Sequence, residues 1–532
     1  MRKPPALFRG PDGVTTPTSA AAESVLKGSA HDVTRKQIRG SSLLLAGRFL
    51  SLGINLAIQV LIVRYLSKAD YGAFAYALSI VSLSVSLATF GLDRSITRFV
   101  PIYDEEKEYN KLWGTIVMVT GTILSISLGL LLLVFGLQSM LTGSLIGDEQ
   151  AISLLLIMIF LVPVLALDGL MLGLFAVMAK PRAIFFRKNV VGPLLRLTVV
   201  LLLVLSGAGV QFLAAGYVVS GALAVSIYTG FLFKTIREQG LLERFSWQGL
   251  EMPGREVFGF TIPLFASDLL YMVMNTSDVI LLGHYWDAEA VGALRVILPA
   301  AQLNMIVMGS FTLLFTPVAS RLFARGDREG IRHLYWQTAA WIAVLSFPIF
   351  ALTFSLSDPL TVLLFGERYE SSAKYLTLLA LAYYFNVALG FNGLTLKVFG
   401  KVRFVLLISV AAAVTNLALA FLLIPPYGAL GAAIATSSTL VVHNILKQWG
   451  LKRGTGIGLF QREDAVVYVS IVGTAAALLI LYWLAQPPIW LTFPLVALGS
   501  LIVVLSSRRV LRAGETFPEL ARFRIIRLIV GR

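Results

Sequence analysis

Runs of about 20 mostly apolar residues, the length a helix needs to cross a bilayer, recur along this chain from about residue 40 to residue 507. No other feature constrains the fold as strongly. Hydrocarbon offers no water to satisfy a bare N–H or C=O, so each run must close its own backbone hydrogen bonds as a helix. Composition agrees. Of the 532 residues, 57% are hydrophobic and 14% charged, against about 45–50% and about 25% in soluble domains. The mean hydropathy of +0.81 excludes a water-soluble body, and the spread of the runs excludes a single anchor on a soluble domain. There is no cysteine, so disulfides, thiolate metal sites and cysteine nucleophiles are excluded together. His31, His284, His333 and His443 are too scattered for a histidine metal site. Residues 1–40 hold no apolar core of the kind a cleaved signal peptide requires.

Fourteen windows are long enough to span, and they predict an all-α polytopic protein. Six lie at roughly 41–65, 71–96, 112–136, 151–177, 184–206 and 212–233. Six more lie at roughly 257–283, 288–317, 334–357, 372–397, 403–424 and 428–449, with a last pair at 465–485 and 489–506. The expected organisation is a disordered cytoplasmic tail (1–38), an amino-terminal lobe (39–234), a cytoplasmic linker (235–256), a carboxyl-terminal lobe (257–450), the added pair (451–507) and a basic amphipathic tail (508–532). In that tail arginines such as Arg522 and Arg524 alternate with Phe523 and Ile525, a pattern suited to an anionic inner leaflet.

The net charge of +15 raises the question of a nucleic-acid partner, and its distribution answers it. Of the 44 Lys and Arg residues, 37 fall on the two tails and on the loops after even-numbered spans. Arg64, Lys68, Arg368 and Lys374 are the only ones on the opposite loops, while Arg48, Arg196 and Arg295 lie inside spans. This asymmetry is a topology signal that places both termini in the cytoplasm, and it leaves no single basic face for nucleic acid. No loop is long enough for an ordinary catalytic domain, which argues against a membrane polymerase or glycosyltransferase.

The chain also repeats itself. Tyr65, Gly72 and Ala73 coincide with Tyr285, Gly292 and Ala293 at an offset of 220, and Asn55 and Arg48 meet Asn275 and Asp268 in the same register. Lys180 and Arg182 align with Lys401 and Arg403 at 221. Six spans per half is an even number, so the halves enter the membrane in the same orientation. That predicts parallel repeats around a central cavity, one of the arrangements secondary transporters use.

Several stretches resemble polysaccharide flippases: Arg64-Tyr-Leu-Ser-Lys-Ala-Asp-Tyr-Gly72, Phe90-Gly91-Leu92 followed by Ile96-Thr97-Arg98, and Asp278-Val-Ile-Leu-Leu-Gly283 with Ala290-Val291-Gly292. Gly400-Lys401, Asn416-Leu-Ala-Leu and Ile424-Pro425-Pro426-Tyr427-Gly428 are similar to the eleventh and twelfth spans of lipid-linked oligosaccharide and lipid II flippases. Those proteins share a superfamily with the multidrug and toxin extruders. The resemblance covers about residues 40–450. It implies alternating-access export of polyprenyl-diphosphate-linked oligosaccharide across the cell membrane for surface glycan assembly, with a glycan polymerase or ligase as downstream partner. A cation-coupled multidrug exporter of the same superfamily is the alternative.

Intramembrane ionisable groups are costly and mark function. Arg48, Ser51, Asn55 and Gln59 recur every three or four residues and share one helical face, which would line a cavity. Arginine suits a diphosphate through its planar, permanently charged fork, so Arg48 and Arg295 are the expected diphosphate ligands. The resemblance places cavity arginines near both positions. An ion pair between Arg48 and Asp268 is the structural alternative, and Arg196 pairs with Asp168 on the same reasoning. Arg94 and Arg98 form a receiving patch or serve topology alone. Asp268, Asn275 and Asp278 on the seventh span, Thr415 and Asn416 on the eleventh and Thr436 on the twelfth are the candidates for Na⁺ or H⁺ coupling. The resemblance implies a sodium site on those spans, although the eleventh span carries no carboxylate here. No other cofactor is expected.

Overall fold

Every expected apolar run that the computed structural model describes is helical. The described residues are 50–138, 148–178, 181–458 and 464–511. The amino-terminal tail, Arg48 and residues 512–532 of the basic tail lie outside them. Asp268 and Asn275 fall within a described helix, but their side chains lie outside the described ones.

The first half runs through α1 (Leu50–Tyr65), α2 (Lys68–Thr89), α3 (Leu92–Glu105) and α4 (Tyr109–Gly136). It continues with α5 (Glu149–Met158) and α6 (Leu161–Val177), bent by 44° at their junction, then α7 (Ala183–Ser206) and α8 (Val210–Glu238). The second half holds α9 (Gly254–Tyr285), α10 (Ala288–Arg295), α11 (Leu298–Gln302), α12 (Ile306–Ala324) and α13 (Arg328–Phe350). It goes on with α14 (Ser357–Phe365), α15 (Ala373–Ala388), α16 (Asn392–Val398), α17 (Val402–Tyr427) and α18 (Ala429–Thr455). Then come α19 (Ala465–Ala485) and α20 (Ile489–Leu511). Among the described residues eleven helical segments are long and apolar enough to cross a membrane, or twelve if the bent α5–α6 pair is one span.

Several spans are interrupted where simple periodicity predicts straight helices. Between α2 and α3 the chain passes through two left-handed residues, Phe90 at φ 49° and Gly91 at φ 67°. A non-glycine residue there is strained, and the Phe90 ring is held in stacking contact with Phe265 of α9 at 4.2 Å. The expected span 288–317 is broken into α10, α11 and α12, with Pro299, which has no N–H to donate, in the first turn of α11. A π-turn over Phe186–Val191 begins α7.

Beyond α8 the connecting segment lies on the start of α4. Trp113 Nε1 donates to the Leu241 carbonyl (3.1 Å), and Gly114 meets the Glu251 carbonyl so closely that a Cβ has no room. The last two helices pack on the second half. Ser355 Oγ donates to the Ala475 carbonyl (2.9 Å) and the Tyr468 hydroxyl to the Ala388 carbonyl (2.8 Å).

The two halves meet most closely where the internal repeat is strongest. Gly72 of α2 lies against the Ala288 carbonyl, and Gly292 of α10 lies against the Lys68 carbonyl and the Gly72 backbone. Positions 68 and 288, like 72 and 292, are repeat partners at the offset of 220. The contact is therefore reciprocal, as a two-fold axis between duplicated units requires. Two arginines strengthen the same end. Arg64 donates to the carbonyls of Leu363 (2.5 Å) and Leu364 (3.1 Å) at the end of α14, and Arg368 donates to the carbonyl of Val63 at the end of α1. Each guanidinium takes carbonyls that a helix terminus leaves without partners and that carry its negative dipole end. A side chain at position 72 must push backbone away from backbone. Gly72→Val is expected to cost more than the ~1–3 kcal/mol of ordinary overpacking, read as a lowered thermal midpoint in detergent, whereas Gly53→Val, where a Cβ meets nothing, leaves it unchanged.

Candidate functional site

Polar side chains that cannot face lipid have one refuge, the space between the halves. A cavity of about 600 Å³ lies there, lined on one side by Ser51, Asn55 and Gln59 of α1 and on the other by Pro299, Gln302 and Ile306. The described part of the polar stripe read from the sequence, Ser51, Asn55 and Gln59, therefore faces the cavity. From Asn55 onward burial increases: Asn55 is exposed and among the described residues bonds its own turn at Ser51 (2.7 Å), whereas Gln59 is half-buried and donates to the Tyr71 hydroxyl (2.5 Å). Ile62 and Val63 beyond it are buried. The cavity thus tapers toward the end closed by Gly72 and Gly292. No Asp or Glu is among its described lining residues, and its one lining charge is Arg196.

Arg196 joins this cavity to a second one of about 300 Å³ inside the first half. Ser51, Asn55 and Arg196 line both, and the side cavity adds Asp168, Arg187 and Lys188. Here the structure corrects an expected pair. Asp168 bonds Arg187, which also donates to the Asp168 carbonyl (2.6 Å), while Arg196 stands over the Tyr217 ring at 5.7 Å. Arg187 and Lys188 counted as loop charges in the sequence, but they belong to the π-turn of α7.

The other candidates separate. Arg295 does not line the cavity. It follows the Gly292 contact by three residues and precedes Pro299 of the cavity wall by four, its charge interacts with Tyr71 of the first half and with Asp278 and Tyr383 of the second, and its Nε is buried with no hydrogen-bond partner among the described residues. Asp278 is buried and accepts a hydrogen bond from the Thr436 hydroxyl, while its Oδ1 has no partner among the described residues. Next to it Ser277 Oγ donates to Asn416 Oδ1 (3.4 Å). The structure thus brings Thr436 of α18 to Asp278 of α9, and Asn416 of α17 to the neighbouring Ser277. Among the described residues no three His, Cys, Asp or Glu side chains cluster. Arg98 is remote from this group. It is exposed and stacks on Phe260 of α9 at 4.2 Å, beside a hydrogen bond from Tyr103 to Glu256 (2.8 Å). Sequence reasoning missed Tyr71 and Tyr383, because a tyrosine in an apolar run reads as packing until its neighbours are known.

Residues 38–323 match the polysaccharide biosynthesis protein family. The chain belongs to that family. Residues 263–422 also match MatE. An uncharacterized membrane protein of Methanocaldococcus jannaschii is 23% identical over 436 residues, 79% of this chain and 84% of that protein. The succinoglycan biosynthesis transport protein ExoT of Rhizobium meliloti is 25% identical over 342 residues, 62% of this chain and 63% of that one. Among solved structures, the lipid II flippase MurJ in an inward closed conformation has the same fold, with a TM-score of 0.69 at 16% identity over 90% of this chain and 99% of that one. The family member described here is a multi-pass membrane protein, and the families and structures it matches are transporters and flippases rather than enzymes.

Removing one partner of a buried hydrogen bond leaves the other's desolvation uncompensated, by about 1–3 kcal/mol and more when it is charged. Thr436→Val is therefore expected to lower the thermal midpoint clearly, and Thr436→Ser, which keeps the donor, to lower it less. A scanning fluorescence melt in detergent makes the comparison.

Proposed function

We propose that this transporter flips polyprenyl-diphosphate-linked oligosaccharide from the cytoplasmic to the outer leaflet by alternating access, serving the assembly of a surface glycan. The observation that carries the reading is the cavity between the duplicated halves, polar along α1 and cationic at Arg196, tapering to an end sealed by backbone contact. A diphosphate and its sugars cannot enter hydrocarbon unaided. Such a cavity replaces their hydration while the polyprenyl tail stays in lipid. On this reading the chain spans fourteen times, as two six-span lobes and an added pair, with both termini cytoplasmic. The sealed end then faces outward and the cavity is reached from the cytoplasm. Arg48, three residues before Ser51 in the sequence, is the further cation we assign to the diphosphate on admission. Arg295, between the cavity wall and the sealed end, receives the diphosphate when its neighbours part. Asn55 and Gln59 offer hydrogen bonds to sugar, and Arg98 assists loading at the cytoplasmic surface.

Coupling belongs to the Asp278 cluster. Its Oδ1, without a partner among the described residues, with the hydroxyl of Thr436 and the amide of Asn416 nearby, offers a place for H⁺ or Na⁺, and Asp268 is a further carboxylate on α9. Charging or neutralising Asp278 changes what Arg295 faces, which links the ion to the sealed end. A polymerase or ligase would take the product on the outer side.

The fold also fits a multidrug exporter, but cationic drugs call for carboxylates, and the described lining of the cavity between the halves has none. Reconstitution decides. In proteoliposomes carrying a fluorescent polyprenyl-diphosphate oligosaccharide, the wild type is expected to move the lipid and Arg48→Ala and Arg295→Ala to lose most of that movement at equal protein level. Movement of a cationic dye in place of the glycolipid would establish the exporter reading.

A further inference from the structure

In an α-helix each residue turns about 100°, so Arg187 and Arg196, nine positions apart, would lie about 900° apart, on opposite faces of α7. The structure places both on the wall of one cavity. The π-turn over Phe186–Val191 accounts for this. A π-turn acts as one inserted residue, which leaves the phase between the two arginines at about 80°. Such turns are frequent at functional sites. This one gathers Arg187, Lys188 and Arg196 around a pocket roofed by Ser51 and Asn55 of α1.

The geometry points to a diphosphate-binding subsite in this side cavity, formed by Arg187, Lys188 and Arg196 with Asp168 as the resident counter-ion. Three cations against one carboxylate leave a net charge of +2, which matches a diphosphate diester. The Arg187 side chain is 4% exposed and its Nε has no hydrogen-bond partner among the described residues, so a donor is already desolvated. Asp168, which is 39% exposed, occupies the Arg187 fork and can swing aside when phosphate oxygens arrive. Arg196 borders both cavities, so a headgroup held here stands next to the path between the halves. The identity of the ligand rests on the flippase reading, but the existence of the anion site does not.

The test is calorimetric titration of the purified full-length protein with farnesyl diphosphate, inorganic pyrophosphate and phosphatidylglycerol micelles in separate arms. Farnesyl diphosphate is expected to bind, with pyrophosphate weaker. Arg196→Gln and Lys188→Gln, both exposed side chains, should each weaken it about tenfold, since each removes a charge-assisted bond to phosphate. Asp168→Asn should tighten binding by freeing the Arg187 fork, an effect that a merely structural ion pair would not produce. Arg237→Gln, on neither cavity wall, should bind as the wild type does. Unchanged affinity in both Arg196→Gln and Lys188→Gln, or weaker binding in Asp168→Asn, overturns the subsite. Phosphatidylglycerol binding with the same sensitivities would make this a phospholipid site and overturn the diphosphate assignment. If these affinities come out as expected while the wild type moves no glycolipid in proteoliposomes, the subsite stands and the flippase reading falls.

Discussion

A polar group in hydrocarbon must find a partner inside the protein, and this protein is organised around that requirement. Backbone groups meet it by forming helices. Side chains meet it by turning inward, so that Ser51, Asn55, Gln59 and Arg196 border one space between the halves while leucines, valines and phenylalanines cover the outside, as the exposed Leu132, Leu205 and Val469 show. Where even the interior offers too few partners, the polar groups combine: Asp278 with Thr436, Arg187 with Asp168, Gln59 with Tyr71.

The closed end of the cavity rests on a second constraint. Two helices approach backbone to backbone only where side chains are missing, and Gly72 and Gly292 provide that at symmetry-related positions. Around them the contacts are directional and breakable. Arg64 and Arg368 each take carbonyls of the opposite half, and Lys68 lies over the Tyr369 ring at 5.6 Å. Contacts of this kind lose little when water replaces them, unlike an interlocked apolar core. At the opposite end Phe90–Phe265 and Arg98–Phe260 join the halves through ring faces instead. The two ends are thus held by different chemistry, which suits a molecule that opens one end at a time.

Much of the candidate site was legible because helical periodicity is local. The stripe Ser51–Asn55–Gln59 could be read from spacing alone, and so could the candidate status of Asp278, Asn416 and Thr436, since polar residues in apolar runs are conspicuous. Arg187 and Lys188 were misread for an equally physical reason. Basic residues near a span end are usually topology charges, and only the π-turn brings Arg187 onto the same wall as Arg196. The partner of Asp168 was decided in the same way, by one extra residue in a helical turn.

The sequence by itself determined that the chain is helical and membrane-spanning, that its Lys and Arg residues are strongly asymmetric, and that short stretches of it recur at an offset of about 220. Each of those follows from hydropathy, charge count or self-comparison, which need no neighbours in space. Only the tertiary structure decided that Gly72 meets Gly292's half and not its own, that Arg295 is buried beside Tyr71 and Tyr383 and does not line the cavity, and that Arg187 faces the same space as Arg196. Those outcomes depend on which helices touch and on local changes of helical phase. A contact across 220 residues, or one residue inserted into a turn, leaves no periodic trace in the chain.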